Sequence, residues 1–258
     1  MSDTITNTVK VLDHGYIKLI ETWGSDEAIV EAARMSTGKG FLGWGDKYHH
    51  DNCPNVGEPL NKECEMCDRA PGDEKLLRTL YTHKHASPFE MAGMVIELQA
   101  PIFVFREWHR HRTQSYNEAS ARYIPLPAID YLPSVERLMQ HSTTNKQAGR
   151  AAGAAELNED AAQTWLTNLQ NHFEYGEVVY QNGLKIGIPK ELARGALTVS
   201  RYSRMRAQAN LRNWLAFLTL RMDPAAQWEI RVYANEVCKL IEAKFPRVAE
   251  LFLEGMKK

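Results

Sequence analysis

The chain has 258 residues, of which 44% are hydrophobic and 24% charged, an ordinary composition for a globular protein with a sizeable core. Its formal net charge of −1 argues against the extended basic face that polynucleotide binding requires. No apolar run approaches transmembrane length, and the opening MSDTITNTVK lacks the apolar core of a secretion signal. These features predict a cytoplasmic protein that binds a small ligand.

The first third of the chain predicts a hairpin followed by two helices. Alternating apolar residues on both sides of an Asp-His-Gly turn predict a β-hairpin over Val9–Glu21. Ser25 can cap a helix over Asp26–Met35, and the leucine spacing of Asp73–His83 predicts another helix. Residues at about 39–72 are rich in Gly, Pro, Asn and charge, so we expect an irregular insertion there.

The insertion has an unusual set of metal-ligand residue types. It carries a C-x-x-C pair, a further cysteine and two histidines: His49, His50, Cys53, Cys64 and Cys67. Such a set could complete a tetrahedral zinc site, but a second C-x-x-C pair is missing. Two interpretations stay open: a structural zinc site away from the chemistry, or a solvated loop with incidental reduced thiols.

The middle of the chain predicts a strand that leads into a basic helix. Met91–Gln99 has the apolar content of a buried strand. Pro101 favours the first turn of a helix over Ile102–Arg112, whose C-terminal end carries the cations that the helix dipole favours there. From Thr113 onward Ser, Asn and Tyr interrupt the pattern, so we expect a loop.

The second half of the chain predicts one strand among helices. The predicted helices are Glu156–Gly183, a short one opening at Pro189–Arg194, Leu211–Met222 with Asn210 as its cap, and a final one from Pro224 through Lys244. Thr198–Gln208 alternates sides in the manner of a strand. Because the strands are separated by helices, we expect a mixed α/β (α+β) fold in a single domain over residues 1–258, with a central sheet packed by helices.

The stretch Arg106–Tyr123, REWHRHRTQSYNEASARY, has the most concentrated chemistry of the chain. The stretch has one nearby acid, Glu107, for the three arginines Arg106, Arg110 and Arg112. A solvated helix usually alternates residues of opposite charge. Guanidinium groups in such a cluster suit bidentate capture of phosphate or carboxylate. The polar residues that follow offer donors and acceptors for a heterocycle, so the stretch predicts a binding site for a small anion.

Two other functions remain open from these residues alone. A non-catalytic nucleic-acid-binding module would use the arginines on phosphates and stack bases on Trp108 and Tyr116. A metal-dependent phosphohydrolase would use the two H-x-H units, His83–His85 and His109–His111. On a helix, residues two apart point to different faces, which argues against a shared metal ion at His109–His111.

Five segments in a fixed order resemble the flavin-dependent thymidylate synthases. RHRTQSYNEAS matches the signature of that family, an RHR followed after seven residues by a serine. The other segments are HASPFE (His85–Glu90), PKELAR (Pro189–Arg194), ANLRN (Ala209–Asn213) and LRMDPAAQWEI (Leu220–Ile230). In this order they extend from His85 to Ile230, over most of the chain outside the cysteine-bearing insertion.

The resemblance implies a fold like that of the family and the reductive methylation of dUMP to dTMP. Methylenetetrahydrofolate would donate the carbon, and FAD with NADPH would supply the hydride. It also implies a homotetramer with shared active sites. The chain has no dinucleotide-binding G-x-G-x-x-G, so flavin binding would depend on arginines and subunit edges.

The resemblance also implies roles for individual residues. Flavin-binding positions are Ser87 (across a subunit boundary), Arg110, His111, Arg112, Glu118, Asn210, Leu211 and Arg212. Positions that bind dUMP are Glu107, Trp108, His109, Arg110, Glu118, Ala119, Ser120, Ala121, Arg122, Arg194 and Arg221. Arg221 would be the catalytic residue, a permanent cation that stabilises negative charge on the uracil ring near N3.

Three positions depart from the family pattern. Glu107 stands where glutamine is frequent, so its nucleotide contact is expected to differ. Ala121 replaces a frequent glycine and would be strained if the position required a positive φ. Ala216 falls where a polar flavin contact is usual, and its methyl group cannot make that hydrogen bond.

Overall fold

The structure, a computed structural model, describes residues 8–44, 72–142 and 145–257. The strands are β1 Thr8–Val11, β2 Gly15–Trp23, β3 Gly93–Pro101, β4 Ser115–Glu118 and β5 Tyr202–Asn210. The α-helices are α1 Asp26–Arg34, α2 Asp73–Thr82, α3 Ile102–Trp108, α4 Val135–Met139, α5 Glu159–Lys185, α6 Lys190–Ala193, α7 Leu211–Arg221, α8 Trp228–Lys244 and α9 Pro246–Met256. The expected mixed α/β fold is confirmed.

The strands form a sheet in the order β1-β2-β3-β5-β4. β1 and β2 are an antiparallel hairpin with Val11 opposite Gly15, as the Asp-His-Gly turn predicts. β4 pairs antiparallel with β5, with Ser115 opposite Gln208. Along β5, buried residues alternate with exposed arginines, which is the pattern of a strand with one face on a core.

The chain divides into two compact units. The first contains the described residues of Met1–Ile20, Val95–Gln208 and Leu220–Val237. Its core includes a buried arginine, Arg201, whose side chain is 2% exposed. The Arg201 Nη2 lies 2.7 Å from Glu177 Oε2 and 3.3 Å from Asp130 Oδ2. A buried guanidinium is tolerated when carboxylates compensate its charge, so this group connects α5, the residue just before β5 and the chain before α4.

The second unit contains the described residues of Glu21–Met94, Ala209–Thr219 and Cys238–Lys258. Ser25 caps α1 by accepting from the Ala28 N–H at 3.2 Å, as predicted. The buried carboxylate of Asp26 accepts from the N–H groups of Arg247 and Val248 at 2.9 and 3.3 Å. Burial raises the pKa of Asp26 to about 6, because desolvation outweighs the two donors. These contacts tie the start of α1 to the first turn of α9.

The structure differs from the predicted elements at several points. The basic helix ends at Trp108 instead of Arg112, and the expected loop after it contains β4. The last predicted helix begins at Trp228, four residues after Pro224, and α9 follows as a separate helix that the sequence reasoning missed. β4 depends on pairing with β5, which is distant in sequence, so local propensity could not identify it.

The possible zinc ligands Cys53, Cys64 and Cys67, with His49 and His50, lie outside the described residues. Within residues 8–44, 72–142 and 145–257, no group of three or more His, Cys, Asp or Glu side chains could hold a metal ion. In the same ranges no helix has both the length and the apolar character needed to cross a membrane.

Candidate active site

Arg221, the last residue of α7, is held on two sides by residues of the stretch Arg106–Tyr123 (the RHR stretch). Its Nη1 donates to Glu107 Oε2 at 2.6 Å and its Nη2 to the Glu107 carbonyl at 2.9 Å. Its Nε donates to His111 Nε2 at 2.9 Å. The Arg221 side chain is 15% exposed, so most of it is shielded from water and the guanidinium is fixed in direction.

His111 accepts a hydrogen bond from a cation, which requires a neutral imidazole with its proton on Nδ1. Burial, together with the positive charge of Arg221, lowers the pKa of His111 to about 4, while Glu107 opposes the shift. At neutral pH His111 is therefore uncharged. It orients Arg221 without adding a second positive charge.

Arg221 and Glu107 line a cavity of about 710 Å³. Two further arginines, Arg137 and Arg231, line the same cavity. Arg137 donates to Glu229 at 2.9 and 3.2 Å, and Arg231 donates to the Pro224 carbonyl at 2.9 Å. The cavity thus has room for a nucleotide-sized ligand beside several fixed cations.

The turn between α3 and β4 is fixed by side-chain contacts. Trp108 is fully buried and its Nε1 donates to Gln114 Oε1 at 3.0 Å. The Tyr116 hydroxyl lies 2.6 Å from the His111 carbonyl and 3.1 Å from the Trp108 carbonyl. These contacts satisfy carbonyl groups at the end of α3 and explain why the helix stops there. The Trp108 side chain belongs to the core, so only its backbone could reach a nucleotide.

His109 is also part of this packing. Its ring lies edge-on to Tyr116, with centroids 4.9 Å apart, and its Nε2 is 3.2 Å from Met205 Sδ. Burial lowers the pKa of His109 below its ordinary value. His109 and His111 therefore have different partners, although both lie beyond the end of α3 and the helical spacing does not apply to them.

A second cavity, of about 490 Å³, holds most of the other predicted nucleotide-binding residues. They are Glu118, Ala119, Ser120, Ala121 and Arg194. Arg106 lines this cavity too, although it was not among the predicted site residues. Burial raises the pKa of Glu118, while a hydrogen bond from Ser203 and the charge of Arg106 oppose the shift. Two guanidinium groups and a serine hydroxyl suit a phosphate monoester.

The loop after β4 is anchored through its backbone. The Ala119 N–H donates to the Arg204 carbonyl at 2.8 Å. Ala121 is buried and does not have a positive φ, so alanine at this position causes no backbone strain. Arg122 points away to an exposed ion pair with Glu191 at 3.3 Å. The loop can therefore present Ser120 without backbone distortion.

The predicted flavin contacts Arg110 and Arg112 are exposed at the turn after α3. Among the described residues, neither guanidinium has a carboxylate within ion-pair distance. Two exposed guanidinium groups on one turn fit the diphosphate of a dinucleotide, which bears closely spaced negative charges.

The remaining flavin candidates lie in the second unit. Ser87 is exposed, and Arg212 forms an ion pair with Glu90. Asn210 caps α7 by accepting from the Asn213 N–H at 3.0 Å, as predicted, which leaves its amide N–H₂ for a ligand. Leu211 is fully buried and its N–H donates to the Ala92 carbonyl at 2.7 Å, so it supports the segment from within. Ala216 is exposed on α7.

Sequence reasoning missed Arg106, Arg137 and Arg231 as cavity-lining residues. Arg106 lay in the stretch recognised as an anion site, but which cavity it lines depends on how α3 packs in the tertiary structure. Arg137 and Arg231 stand outside the matched segments, and no sequence pattern distinguishes them from surface arginines.

The chain is similar to known proteins over most of its length. A family model described as thymidylate synthase complementing protein matches residues 18–247. The flavin-dependent thymidylate synthase of Rickettsia bellii is 37% identical over 265 residues, which cover 98% of this chain and 81% of that protein. That of Thermosipho melanesiensis is 34% identical over 245 residues, covering 95% and 93%.

A solved structure has a similar fold. The UMP/dUMP methylase PolB from Streptomyces cacaoi, bound with 5-Br dUMP, is 30% identical with a TM-score of 0.72, and the match covers 95% of this chain and 97% of that one. The same protein bound with 5-Br UMP gives a TM-score of 0.71 at 29% identity. With the family model spanning nearly the whole chain, and the RHR stretch and Arg221 inside the matched region, the chain belongs to the thymidylate synthase complementing protein family, which includes the flavin-dependent thymidylate synthases.

Proposed function

We propose that the protein methylates dUMP to dTMP, with methylenetetrahydrofolate as carbon donor and a flavin, reduced by NADPH, as hydride source. One observation carries the proposal: Arg221 is presented to a large cavity by Glu107 and a neutral His111. Uracil C5 is a poor nucleophile until the ring gains electron density. A permanent, directed cation can stabilise that negative charge without a covalent thiolate adduct.

In this proposal, different residues of the chain bind the phosphate and the pyrimidine of the nucleotide. Arg194, Arg106 and Ser120 would bind the phosphate in the 490 Å³ cavity. Arg221 would hold the pyrimidine through O2 and N3 in the 710 Å³ cavity. Glu107 and His111 would keep the Arg221 guanidinium in the plane of the ring as charge develops.

The two sets of nucleotide-binding residues line different cavities of one chain. We therefore include shared active sites in the proposal: one copy supplies the phosphate contacts and a second copy supplies Arg221, within a homotetramer. A cytoplasmic location remains part of the proposal.

Flavin binding is supported by the chemistry of the exposed donors. Arg110 and Arg112 would bind the diphosphate of FAD, and Ser87, Asn210 and Arg212 would add hydrogen-bond donors, from the same or another copy. When bound, the flavin supplies the hydride that reduces the transferred carbon to a methyl group. Glu118, on β4, would contribute to either ligand through its carboxylate.

The two alternative functions have less support. Trp108 is buried, and Tyr116 is half-buried, with its hydroxyl held by two carbonyl groups of the α3–β4 turn, so neither ring is positioned as an exposed platform for stacking bases. The described histidines do not converge with carboxylates on a metal-sized site, which gives a phosphohydrolase no metal centre there.

The proposal is tested with purified protein in one assay and one spectrum. We expect flavin absorbance in the blue and dTMP formation from dUMP that requires methylenetetrahydrofolate and NADPH. UMP in place of dUMP tests whether the ribose 2′-hydroxyl is accepted. If flavin-saturated protein with all three substrates forms no dTMP, the proposal is wrong.

A further inference from the structure

A third cavity, of about 370 Å³, lies within the second unit and has apolar walls. The buried side chains that line it are Leu80, Phe89, Leu215 and Leu251. Tyr81 lines it too, with its ring edge-on to Phe89 at a centroid distance of 6.1 Å. Among the described residues, the Tyr81 hydroxyl has no hydrogen-bond partner. An apolar slot with a polar group in its wall suits an aromatic heterocycle.

Permanent cations also line this cavity. They are Arg78, Lys84 and Arg212, and all three are exposed. Arg78 pairs with Glu254 at the surface, where an ion pair contributes little and a ligand can replace the carboxylate. Within residues 8–44, 72–142 and 145–257, Lys84 has no ion-pair partner. Three cations and the acid Glu254 give the described lining residues a formal charge of +2, with histidine counted as neutral. The charge of the cavity therefore matches a dianion.

Lys84 has a backbone conformation that lysine rarely adopts, with a φ of 58°. It follows α2 in a Schellman motif, in which the Lys84 N–H donates to the Tyr81 carbonyl at 3.1 Å and the His85 N–H to the Leu80 carbonyl at 2.9 Å. Glycine is usual at this position, because a Cβ is strained there. A strained residue indicates that its side chain has a function, and the Lys84 side chain lines the cavity.

We propose that this cavity binds the adenosine 2′-phosphate half of NADPH, with the purine against the apolar walls and the phosphate on Lys84 and Arg78. A 2′-phosphate is a dianion beside a purine, and guanidinium and ammonium groups are its usual donors. The inference rests on the proposed function, which requires NADPH as reductant. Ala86 and Arg212 line the cavity as well, so it adjoins two proposed flavin contacts, Ser87 and Arg212 itself. The 2′-phosphate contacts would make the protein prefer NADPH to NADH.

The test is titration calorimetry of FAD-saturated protein with 2′,5′-ADP and with 5′-ADP, which lacks the 2′-phosphate. We expect the wild type to bind 2′,5′-ADP at least about tenfold more tightly, the difference expected for a charge-assisted contact. Lys84→Gly should abolish this preference without lowering Tm, because loss of the strain offsets the greater freedom of glycine in the unfolded chain. Lys75→Ala removes the same charge from an exposed position of α2 outside the cavity and should keep the preference.

Equal affinity of the wild type for the two nucleotides, or a preserved preference in Lys84→Gly, overturns the inference. Binding of 2′,5′-ADP to flavin-free protein alone would assign the cavity to the adenosine of FAD instead. Tighter binding of N-(4-aminobenzoyl)-L-glutamate than of 2′,5′-ADP would assign it to the carbon donor. Because these titrations need no turnover, the expected affinities without dTMP formation would count only against the proposed function. Formation of dTMP without a preference for the 2′-phosphate would count only against this use of the cavity.

Discussion

Arg221 Nη1 donates to Glu107 Oε2 at 2.6 Å, and this ion pair joins the end of α7 to the last turn of α3. Glu107 stands at a position where the resemblance leads one to expect glutamine. A carboxylate there fixes the guanidinium and also partly neutralises it. The Glu107 side chain therefore sets both the orientation of the Arg221 guanidinium and its effective charge. Substitutions of Glu107 can separate the two effects.

Glu107→Gln should retain the hydrogen bond to Arg221 while removing the negative charge. We expect kcat to rise by up to about tenfold, because the unopposed guanidinium stabilises the developing ring anion more strongly. Glu107→Ala, which removes the acceptor as well, should lower kcat by about tenfold or more. Steady-state kinetics at saturating dUMP measure both. Equal losses in the two variants would show that the charge itself is required.

Arg194→Ala should weaken dUMP binding by about 10- to 100-fold, the loss expected for a hydrogen bond between charged groups. Within the described residues, the one hydrogen bond of the Arg194 side chain goes to the Glu191 carbonyl at 3.3 Å, so the fold should not change. Titration calorimetry with dUMP measures the effect. Arg150→Ala, at another exposed arginine, is the matched control, and similar affinity for the two variants would remove Arg194 from the site.

His111 should make stability depend on pH between about 4 and 6.5. Its pKa is lowered to about 4 in the folded protein, whereas an unfolded histidine titrates near 6.5. Over this window the unfolded chain binds the extra proton, so the free energy of unfolding falls as pH falls. Flavin-free His111→Asn should lose this part of the pH dependence of Tm. An unchanged dependence would mean that His111 is not the neutral acceptor of the Arg221 N–H.

Arg201→Leu should destabilise the first unit by about 3–5 kcal/mol, because Glu177 and Asp130 would lose the cation that compensates them. Urea denaturation measures the free energy of unfolding. Changing Arg137, whose partner Glu229 is also buried but whose own side chain is 23% exposed, should cost less. If both variants lose the same free energy of unfolding, the burial of the Arg201 side chain does not determine the loss.

The sequence indicates which residues are candidates for the site, but not how they are arranged in space. The RHR stretch and Arg221 were identifiable because an excess of arginine over acid, and a fixed order of segments, are properties of the chain itself. The hairpin β1–β2 and the Ser25 cap of α1 were also predictable, since each depends on neighbouring residues.

Features that depend on distant contacts could not be predicted. β4 exists because β5 pairs with it, and α3 ends at Trp108 because Gln114 and Tyr116 fold back on the turn. The burial of Trp108 changes it from a candidate base-stacking ring to a core residue. The separation of Arg221 and Arg194 into two cavities is likewise a property of the tertiary structure.

The most direct test of the account is single-turnover dTMP formation by Arg221→Ala, with flavin absorbance recorded in the same sample. We expect a rate about 10²- to 10³-fold below wild type, the usual loss when a directed donor to a developing anion is removed, with flavin absorbance unchanged. Arg231→Ala, at another arginine of the same cavity, should retain most of the rate. A near-wild-type rate for Arg221→Ala, or loss of its flavin, would contradict the role assigned to Arg221.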